Sequence, residues 1–211
     1  MSEPSASRRP LVLATLNRAK ARELVALLGD IPFDVVTLPD AVPGATLPPE
    51  DEDAYADNAR AKARVGRQLT GALTLGDDSG LEVDALGGAP GPRSARFGGP
   101  GLDDAGRCRR LLEALQGVPG PRRTARFRCL IAIAHPDGRE HLVEGVSEGS
   151  IVTEPRGTGG FGYDPLFYFP ALGRTFGELS DGEKAEVSHR GRALRAARRV
   201  LADCYTPVLE A

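Results

Sequence analysis

Near its N-terminus the chain passes from a strand pattern to a helix pattern without an intervening loop. Residues 11–15 form an apolar run between Pro10 and Asn17, which is typical of a buried strand. Apolar residues then recur at helical spacing, and Gly29 is placed to end the helix that they predict. The predicted buried face of this helix consists of Ala21, Leu24, Val25, Leu27 and Leu28. A buried strand that leads directly into an amphipathic helix favours an α/β fold.

The rest of the chain continues this alternation and adds a hairpin. Alternating apolar residues over 124–134, followed by the turn 136–138, predict a β-hairpin that returns through 141–152. The other predicted elements are a strand at 34–38, a loop at 39–53, a helix at 54–69, a strand at 73–75 that ends at 76–80, a loop at 87–101, a helix at 103–115, a glycine-rich loop at 157–162, and a last helix burying Val187, Leu194, Ala197 and Leu201. Because hairpins and crossovers both occur, we expect an α/β chain with a mixed central sheet flanked by helices.

Length and composition indicate one globular domain. The chain has 211 residues, of which 41% are hydrophobic and 27% charged. We place the domain at residues 10–205, between a disordered leader at 1–9 and a C-terminal tail at 206–211. A net charge of -2 argues against a protein that coats nucleic acid. The three cysteines form no CxxC motif or Cys/His cluster in the sequence, which supports neither a disulfide framework nor a zinc site and favours the cytoplasm. No run approaches the roughly 20 apolar residues of a membrane helix.

The segment Thr15-Leu16-Asn17-Arg18-Ala19-Lys20 lies where the first strand passes to the first helix. A helix N-terminus offers free backbone N–H groups and a positive dipole end, and both suit a phosphate. Thr15 and Asn17 add short polar groups, and Lys20 can reach an anion docked there. The alternative is that Asn17 only caps the helix and that Lys20 is a surface lysine.

Two adjacent carboxylates, Asp77 and Asp78, precede Ser79 and Gly80 at the end of a predicted strand. Such a pair can hold one Mg²⁺ ion and place a base near it. The alternative is ordinary turn chemistry, for which Asp-Ser-Gly is a common sequence.

An acidic loop at residues 50–53 precedes the helix that carries Asn58 and Lys62. These two residues are four apart and share a helix face. A carboxylate from the loop could complete a Mg²⁺ shell with Asp78, although an acidic run is also typical of a solvated loop.

The segment GTGGFGYDP at 157–165 contains a formal GxGxxG motif. No apolar strand precedes it and Pro165 disfavours a helix start there, so the dinucleotide-binding interpretation fails. What remains is a flexible backbone that presents Phe161 and Tyr163, aromatic rings on which a base could stack. The alternative is a phenylalanine that packs in the core.

Near the C-terminus, Ser188 is a good N-cap that would place His189 and Arg190 in the first turn of the last helix. Positive groups at that position oppose the helix dipole, a local conflict that binding sites tolerate. With Lys184 they form a cluster of donors. Together the motifs supply the parts of a nucleoside-triphosphate site: a phosphate cradle, an acid pair, an aromatic ring and donors.

Four segments resemble the inosine triphosphate pyrophosphatase family, hydrolases that remove non-standard purine nucleotides. They are LVLATLNRAKARELVALL, DDSGLEVDALGGAPGPRSARF, GTGGFGYDPLF and EKAEVSHRGRAL, and their order and spacing match. The resemblance extends from Leu11 to Leu201, nearly the whole chain. It implies an α/β fold with two lobes and an active-site cleft between them.

The resemblance also implies roles for individual residues. Asp78 would bind Mg²⁺ and act as the general base, Asp77 could take the base role, and Glu50 would be a second metal ligand. The substrate-binding residues would be Thr15, Asn17, Lys20, Lys62, Ser79, Phe161, Gly162, Tyr163, Asp164, Lys184, His189 and Arg190. One departure is Leu16, where many members have glycine.

The implied reaction is hydrolysis of dITP, ITP and XTP to the nucleoside monophosphate and pyrophosphate, which keeps these nucleotides out of DNA and RNA. The implied cofactor is Mg²⁺, and the implied form is a cytoplasmic homodimer without nucleic-acid or membrane partners. The alternatives are a pyrophosphatase of similar fold for other modified nucleotides and a non-catalytic nucleotide-binding module.

Overall fold

The computed structural model describes residues 8–51 and 54–205, and in this part of the chain one mixed sheet carries helices on both faces. The strands are β1 (Arg9–Leu13), β2 (Phe33–Thr37), β3 (Leu73–Val83), β4 (Pro90–Gly91), β5 (Thr124–Ala134), β6 (Glu140–Ile151), β7 (Phe167–Phe169) and β8 (Arg174–Thr175). The helices are α1 (Arg18–Leu28), α2 (Leu38–Ala41), α3 (Tyr55–Thr70), α4 (Asp104–Ala114), α5 (Asp181–Val187) and α6 (His189–Tyr205).

The sheet combines parallel and antiparallel pairs, as the sequence predicts. Its order is β2-β1-β3-β5-β6-β7-β8, and the short β4 pairs with β3. Strand β1 runs parallel to β2 and β3, whereas β5, β6, β7 and β8 join the sheet in antiparallel pairs. Among the described residues, no helix has both the length and the apolar character that crossing a bilayer requires.

Helix α3 packs on one face of the sheet, and helices α1 and α6 pack on the other. Two glycines in the strands permit close contact between the sheet and helices α3 and α6. A Cβ at Gly76 of β3 would lie 2.5 Å from the backbone nitrogen of Ala63 in α3. A Cβ at Gly145 of β6 would clash with the backbone of His189 and Ala193 in α6. Both helices therefore lie close enough to the sheet for their side chains to reach β3.

Buried apolar side chains form two large clusters toward the two ends of β3 and β5. One cluster includes Leu13 and Leu75 with side chains of α1 and α6. The other includes Leu81 and Phe127 with side chains of α4 and β7. Residues 76–80 of β3 connect the clusters, and this division agrees with the two lobes that the family resemblance implies.

Short polar side chains determine where helices α1 and α6 begin. Asn17 caps α1, because its Oδ1 accepts from the backbone nitrogens of Ala19 at 2.9 Å and Lys20 at 3.1 Å. Ser188 precedes α6, and its Oγ accepts from the Gly191 nitrogen at 3.0 Å. The prediction that the first turn of the last helix contains His189 and Arg190 is therefore confirmed.

The largest error of the sequence prediction concerns β3. We predicted a strand at 73–75 that ends at 76–80, whereas β3 continues to Val83. Its pairing with β5 is unbroken from Thr74 to Val83, so Asp77 and Asp78 lie inside a strand. Cations pair with both buried carboxylates, which explains how such a polar segment can occupy the centre of a sheet.

Several shorter elements also differ from the prediction. Helix α2 begins within the predicted strand at 34–38 and continues into the predicted loop, and Val187 ends a separate helix, α5. Strands β4, β7 and β8 are two or three residues long, too short to show a period in the sequence. Val25 is exposed rather than buried. Arg9, in the predicted leader, begins β1, while residues 1–7 and the predicted tail 206–211 lie outside the described residues.

Candidate active site

Strand β3 has an open edge between the two lobes. On one side, β1 pairs with Leu73–Leu75 and β4 pairs with Leu81 and Glu82. No strand of the described chain pairs with residues 76–80 on that side, while β5 pairs with them on the other. Because side chains alternate along a strand, Asp78 faces α3, and Asp77 faces α1 and α6. The two carboxylates therefore flank the same gap from opposite faces of the sheet.

On the α3 face, two side chains one helical turn apart hold Asp78. Asn58 Nδ2 donates to Asp78 Oδ2 at 3.0 Å, and Lys62 Nζ donates to Asp78 Oδ1 at 3.0 Å. Glu50 Oε1 lies 2.5 Å from the same ammonium group. Its other oxygen accepts from Arg96 at 2.6 Å. Two carboxylates thus converge on one lysine at the open edge of β3.

The pKa values of the charged side chains on this face are shifted from their ordinary values. Burial raises the pKa of Asp78 above the usual range, although the charge of Lys62 opposes the shift. Burial also acts to lower the pKa of Lys62, but the charges of Asp78, Asp77 and Glu50 outweigh it and raise that pKa. Lys62 therefore stays charged, while Asp78 is a stronger base than an ordinary aspartate.

On the opposite face, Asp77 is buried beneath two cations. Lys20 Nζ lies 3.1 Å and Arg190 Nε lies 3.9 Å from its Oδ2. Burial alone would raise the pKa of Asp77, but the charges of Lys20 and Arg190 outweigh it and lower that pKa to about 2. Asp77 is consequently a permanent anion that holds Lys20 at the N-terminal end of α1.

The first turn of α6 contributes a buried guanidinium group. Arg190 Nη2 donates to Ser79 Oγ at 2.9 Å, and its Nη1 pairs with Glu23 of α1. Lys184 Nζ lies 3.3 Å from Glu23 Oε1 and 2.7 Å from Asp164 Oδ2. This network of charges fixes α1, α5, α6 and β3 relative to one another.

His189 stacks on the ring of Phe127, with the ring centroids 4.6 Å apart. Burial, together with the charges of Arg190 and Lys184, holds the pKa of His189 well below its ordinary value, so the ring is neutral at neutral pH. Its Nδ1 has no hydrogen-bond partner among the described residues. A buried polar atom left unpaired costs about 1–3 kcal/mol, so Nδ1 is available for a ligand.

The glycine-rich segment presents one aromatic ring rather than two. Phe161 is half-buried, and Lys184 Nζ and Arg190 Cζ lie 5.0 Å and 5.4 Å from its ring centroid. Tyr163 is buried in the core, where its hydroxyl group donates to the Ser94 carbonyl at 2.8 Å. The prediction that both rings present stacking surfaces thus applies to Phe161, while Tyr163 anchors the segment.

A cavity lies between the lobes. Ten predicted site residues line it: Asn17, Lys20, Ser79, Phe161, Gly162, Tyr163, Asp164, Lys184, His189 and Arg190. Asp77 lies beneath this lining, and Asp78, Lys62 and Glu50 lie on the α3 face of β3. Thr15 is buried, and its Oγ1 accepts from the Asn17 nitrogen at 3.2 Å. The cavity therefore joins the aromatic and donor groups to the N-terminus of α1.

The model of the Ham1 family matches residues 11–200. The chain belongs to the Ham1 family. The dITP/XTP pyrophosphatase of Desulforamulus reducens is 52% identical over 195 residues, which cover 92% of this chain and 96% of that protein. The protein of the same name from Thermus thermophilus is 46% identical over 93% of this chain and 94% of its own length.

Solved structures of the Ham1 family have the same fold. A HAM1 protein from Coxiella burnetii is 39% identical and superposes with a TM-score of 0.81, covering 92% of this chain and 99% of its own. The Mycobacterium abscessus nucleoside-triphosphatase, a dITP/XTP pyrophosphatase, is 44% identical with a TM-score of 0.73, covering 89% and 98%. These relatives do not favour the two alternative functions given above.

Four further residues contact the site without having a predicted role in it: Asn58, Glu23, Arg96 and Phe127. Asn58 shares a helix face with Lys62, and Glu23 follows Lys20 by three residues, so helix periodicity could have placed both in the site. Arg96 and Phe127 carry no such signal, because they reach the site only through the tertiary fold.

The departure at Leu16 leaves the first loop unstrained. Leu16 is exposed, and no residue other than glycine has a positive φ angle in the described chain. A leucine at this position is therefore compatible with the backbone that leads into the Asn17 cap.

The arrangement of carboxylates suits a magnesium ion, but with a ligand pair different from the two adjacent aspartates. Asp77 and Asp78 face opposite sides of β3, so they do not form one ligand pair. Glu50 Oε1 and Asp78 Oδ1 instead point at the same ammonium group, at 2.5 Å and 3.0 Å. Carboxylate oxygens are the ligands that Mg²⁺ prefers, and the ion takes its remaining ligands from water and phosphate.

Proposed function

We propose that this member of the Ham1 family hydrolyses dITP, ITP and XTP to the nucleoside monophosphate and pyrophosphate. The observation that carries the proposal is the cavity between the lobes. At one end it has the ring of Phe161 and, within the described chain, unpaired ring and guanidinium nitrogens of His189 and Arg190. At the other it reaches the N-terminus of α1, where Lys20 lies 3.1 Å from the Asp77 carboxylate of β3. The relatives from Desulforamulus reducens and Thermus thermophilus, both named dITP/XTP pyrophosphatase, support the same activity.

Positive groups near the open edge of β3 would bind the triphosphate. The N-terminus of α1 offers backbone N–H groups, and Lys20 lies beside them, paired with Asp77. Lys62 would act from the opposite face of the strand. We therefore place the triphosphate across the open edge of β3, between the two lysines.

The two aspartates would have different tasks. Asp78 accepts a proton more readily than Asp77, because its pKa is raised while that of Asp77 is lowered to about 2. Asp78 is therefore the better general base for the attacking water. Asp77 positions Lys20 and Arg190.

Glu50 and Asp78 would hold the Mg²⁺ ion. When bound, the ion supplies neutralisation of phosphate charge and orientation of a water molecule. Arg96 holds one oxygen of Glu50 and Asn58 holds one oxygen of Asp78, so both carboxylates keep their orientation. The ion would take the place between them that the Lys62 ammonium group occupies in this structure.

Selectivity for the base would come from the first turn of α6. Inosine and xanthine present an oxygen acceptor at position 6, where adenine presents an amino donor. Arg190 has five N–H donors, two of which serve Ser79 and Glu23. The remaining donors would pair with a 6-oxo group and stay unpaired against a 6-amino group, at a cost of about 1–3 kcal/mol. The ring of Phe161 would stack on the base.

Replacing the proposed base tests this assignment. We expect Asp78→Asn to reduce kcat for ITP about 100-fold or more, because the carboxylate that accepts the proton is lost. The variant should stay folded by circular dichroism and still bind ITP in a calorimetric titration. Near-normal turnover by Asp78→Asn would overturn the assignment.

We also propose that the protein works as a cytoplasmic homodimer, without a nucleic-acid or membrane partner. The family resemblance supports this form. Light scattering coupled to size-exclusion chromatography measures the mass directly, and a monomer at working concentration would contradict it.

A further inference from the structure

A second cluster of titratable side chains lies at the end of α6 remote from the nucleotide cavity. His135 follows the last residue of β5, His141 lies in β6, and Cys204 lies in the last turn of α6. From His189 to Cys204, α6 rises by about 22 Å at 1.5 Å per residue. The cluster is therefore separate from the groups that line the cavity.

The three side chains converge on one point. A ring nitrogen of each histidine and Cys204 Sγ all lie within 4.8 Å of one another. His135 Nε2 and His141 Nδ1 are 2.9 Å apart and share one proton. Among the described residues, this is the group of three or more His, Cys, Asp and Glu side chains close enough to hold a metal ion.

We propose that His135, His141 and Cys204 bind a zinc ion. Two imidazole nitrogens and a thiolate are a donor set that suits zinc, whereas Mg²⁺ prefers oxygen. Two nitrogens on a tetrahedral zinc, each at about 2.1 Å, lie about 3.4 Å apart. The two rings need to separate by only about 0.5 Å for the metal to replace the shared proton.

The surroundings of His135 prepare it for this role. Its other ring nitrogen, Nδ1, lies 2.7 Å from the Tyr205 hydroxyl group, and the Tyr205 ring packs edge-on against Phe33. Histidine ligands of metals commonly use their second nitrogen in such a bond, which fixes the ring.

The C-terminal end of α6 favours a cation electrostatically and leaves the three side chains accessible to an ion. The last turn of α6 presents backbone carbonyl groups and the negative end of the helix dipole, which favour a cation. His141 and Cys204 are partly exposed, so an ion and a water ligand can reach the point between them. The sequence alone predicts no zinc site, because the three residues are 6 and 63 positions apart along the chain and only the fold unites them.

The experiment uses the full chain without an affinity tag, because a histidine tag binds the same metals. Cobalt(II) is titrated into the reduced protein in excess Mg²⁺, which occupies oxygen-ligand sites. We expect one Co²⁺ per chain, thiolate-to-cobalt charge-transfer absorption, and release of the ion by one equivalent of Zn²⁺. Zinc should also raise the Tm of the protein by joining the β5–β6 hairpin to α6.

Three variants distinguish metal binding at these three side chains from adventitious metal binding elsewhere. Cys204→Ser should abolish the charge-transfer band, and Tyr205→Phe, which keeps the ring, should weaken binding about 10- to 100-fold. Asp137→Asn is the matched control, since it removes an exposed carboxylate from the adjacent turn and should leave binding unchanged. None of these residues lines the nucleotide cavity, so ITP turnover should be unaffected in all three.

Two outcomes would overturn the proposal. One is the absence of a thiolate band in the wild-type protein. The other is Co²⁺ binding of equal affinity in the wild type and in Cys204→Ser, which would place the ion elsewhere.

Discussion

Asp77 and Asp78 are neighbours in the chain, yet the strand gives them opposite environments. Asp77 faces Lys20 and Arg190, and its pKa falls to about 2. Asp78 faces Asn58 and Lys62, and burial raises its pKa. The sequence predicted both as site residues, but as one metal-holding pair at the end of a strand. Which carboxylate serves as a base depends on which face of β3 it occupies, and that required the extent of the strand.

Arg190 is predicted to discriminate between hypoxanthine and adenine as the base of the substrate. We expect Arg190→Ala to narrow the ratio of kcat/KM for ITP over ATP about tenfold, because donors that pair with the 6-oxo group are removed. Steady-state kinetics on both nucleotides measure this ratio.

Because Arg190 also pairs with Glu23, its loss lowers stability. Kinetics are therefore run well below the Tm of the variant, and Arg190→Gln serves as a second variant that keeps a donor. Equal losses on ITP and ATP would assign Arg190 to phosphate binding or folding instead.

His189 makes stability depend on pH. Its pKa is held well below the ordinary value, so the unfolded chain takes up a proton at a higher pH than the folded chain. The free energy of unfolding therefore falls as the pH is lowered below about 6.5, by about 1.4 kcal/mol per pH unit from this residue until its folded pKa is reached. Urea unfolding near neutral pH and near pH 5.5 should show a smaller fall in His189→Asn.

His135, whose pKa burial also lowers, is present in both proteins, so the difference between them isolates His189. An identical fall in the wild type and in His189→Asn would show that His189 is protonated in the folded protein.

At the scale of elements, the contact between α3 and β3 positions the metal-binding face. A Cβ at Gly76 would lie 2.5 Å from the Ala63 nitrogen and closer still to the Ala59 carbonyl oxygen, so Gly76→Ala must displace α3. Because α3 carries Lys62, we expect a loss of about 1–3 kcal/mol in the free energy of unfolding and a lower kcat. Urea unfolding and ITP turnover measure the two effects.

Gly120→Ala is the control, since its added Cβ meets nothing within 4 Å and Gly120 has no positive φ angle. If Gly76→Ala behaved like Gly120→Ala in both measurements, the close contact of α3 with β3 would not position the site.

The elements with a full hydrophobic period were predictable, and the short or polar ones were not. The hairpin β5–β6 and helices α1, α3 and α4 follow the expected spacing of apolar residues. Residues 76–80 of β3 have a sequence typical of a turn, because glycine and aspartate are common turn residues. Its strand conformation is stabilised by pairing with β5 and by cations from α1, α3 and α6, none of which is visible in the local sequence.

At the scale of the whole molecule, β3 connects the two lobes and leaves an edge open between them. The family can be identified from this sequence because its four motifs occur in matching order and spacing. The meeting of Glu50 with Asp78, or of Glu23 with Arg190, joins residues 28 and 167 positions apart. Such contacts follow only from the arrangement of both lobes around β3.

The central claim is that this site cleaves nucleoside triphosphates between the α and β phosphates and selects the base by its 6-oxo group. The most direct measurement is product release from dITP, ITP and XTP beside ATP and GTP, with Mg²⁺ and with a chelator. We expect Mg²⁺-dependent release of pyrophosphate and monophosphate from the first three and little from ATP and GTP. Release of orthophosphate, equal rates on all five nucleotides, or no product at all would contradict the account.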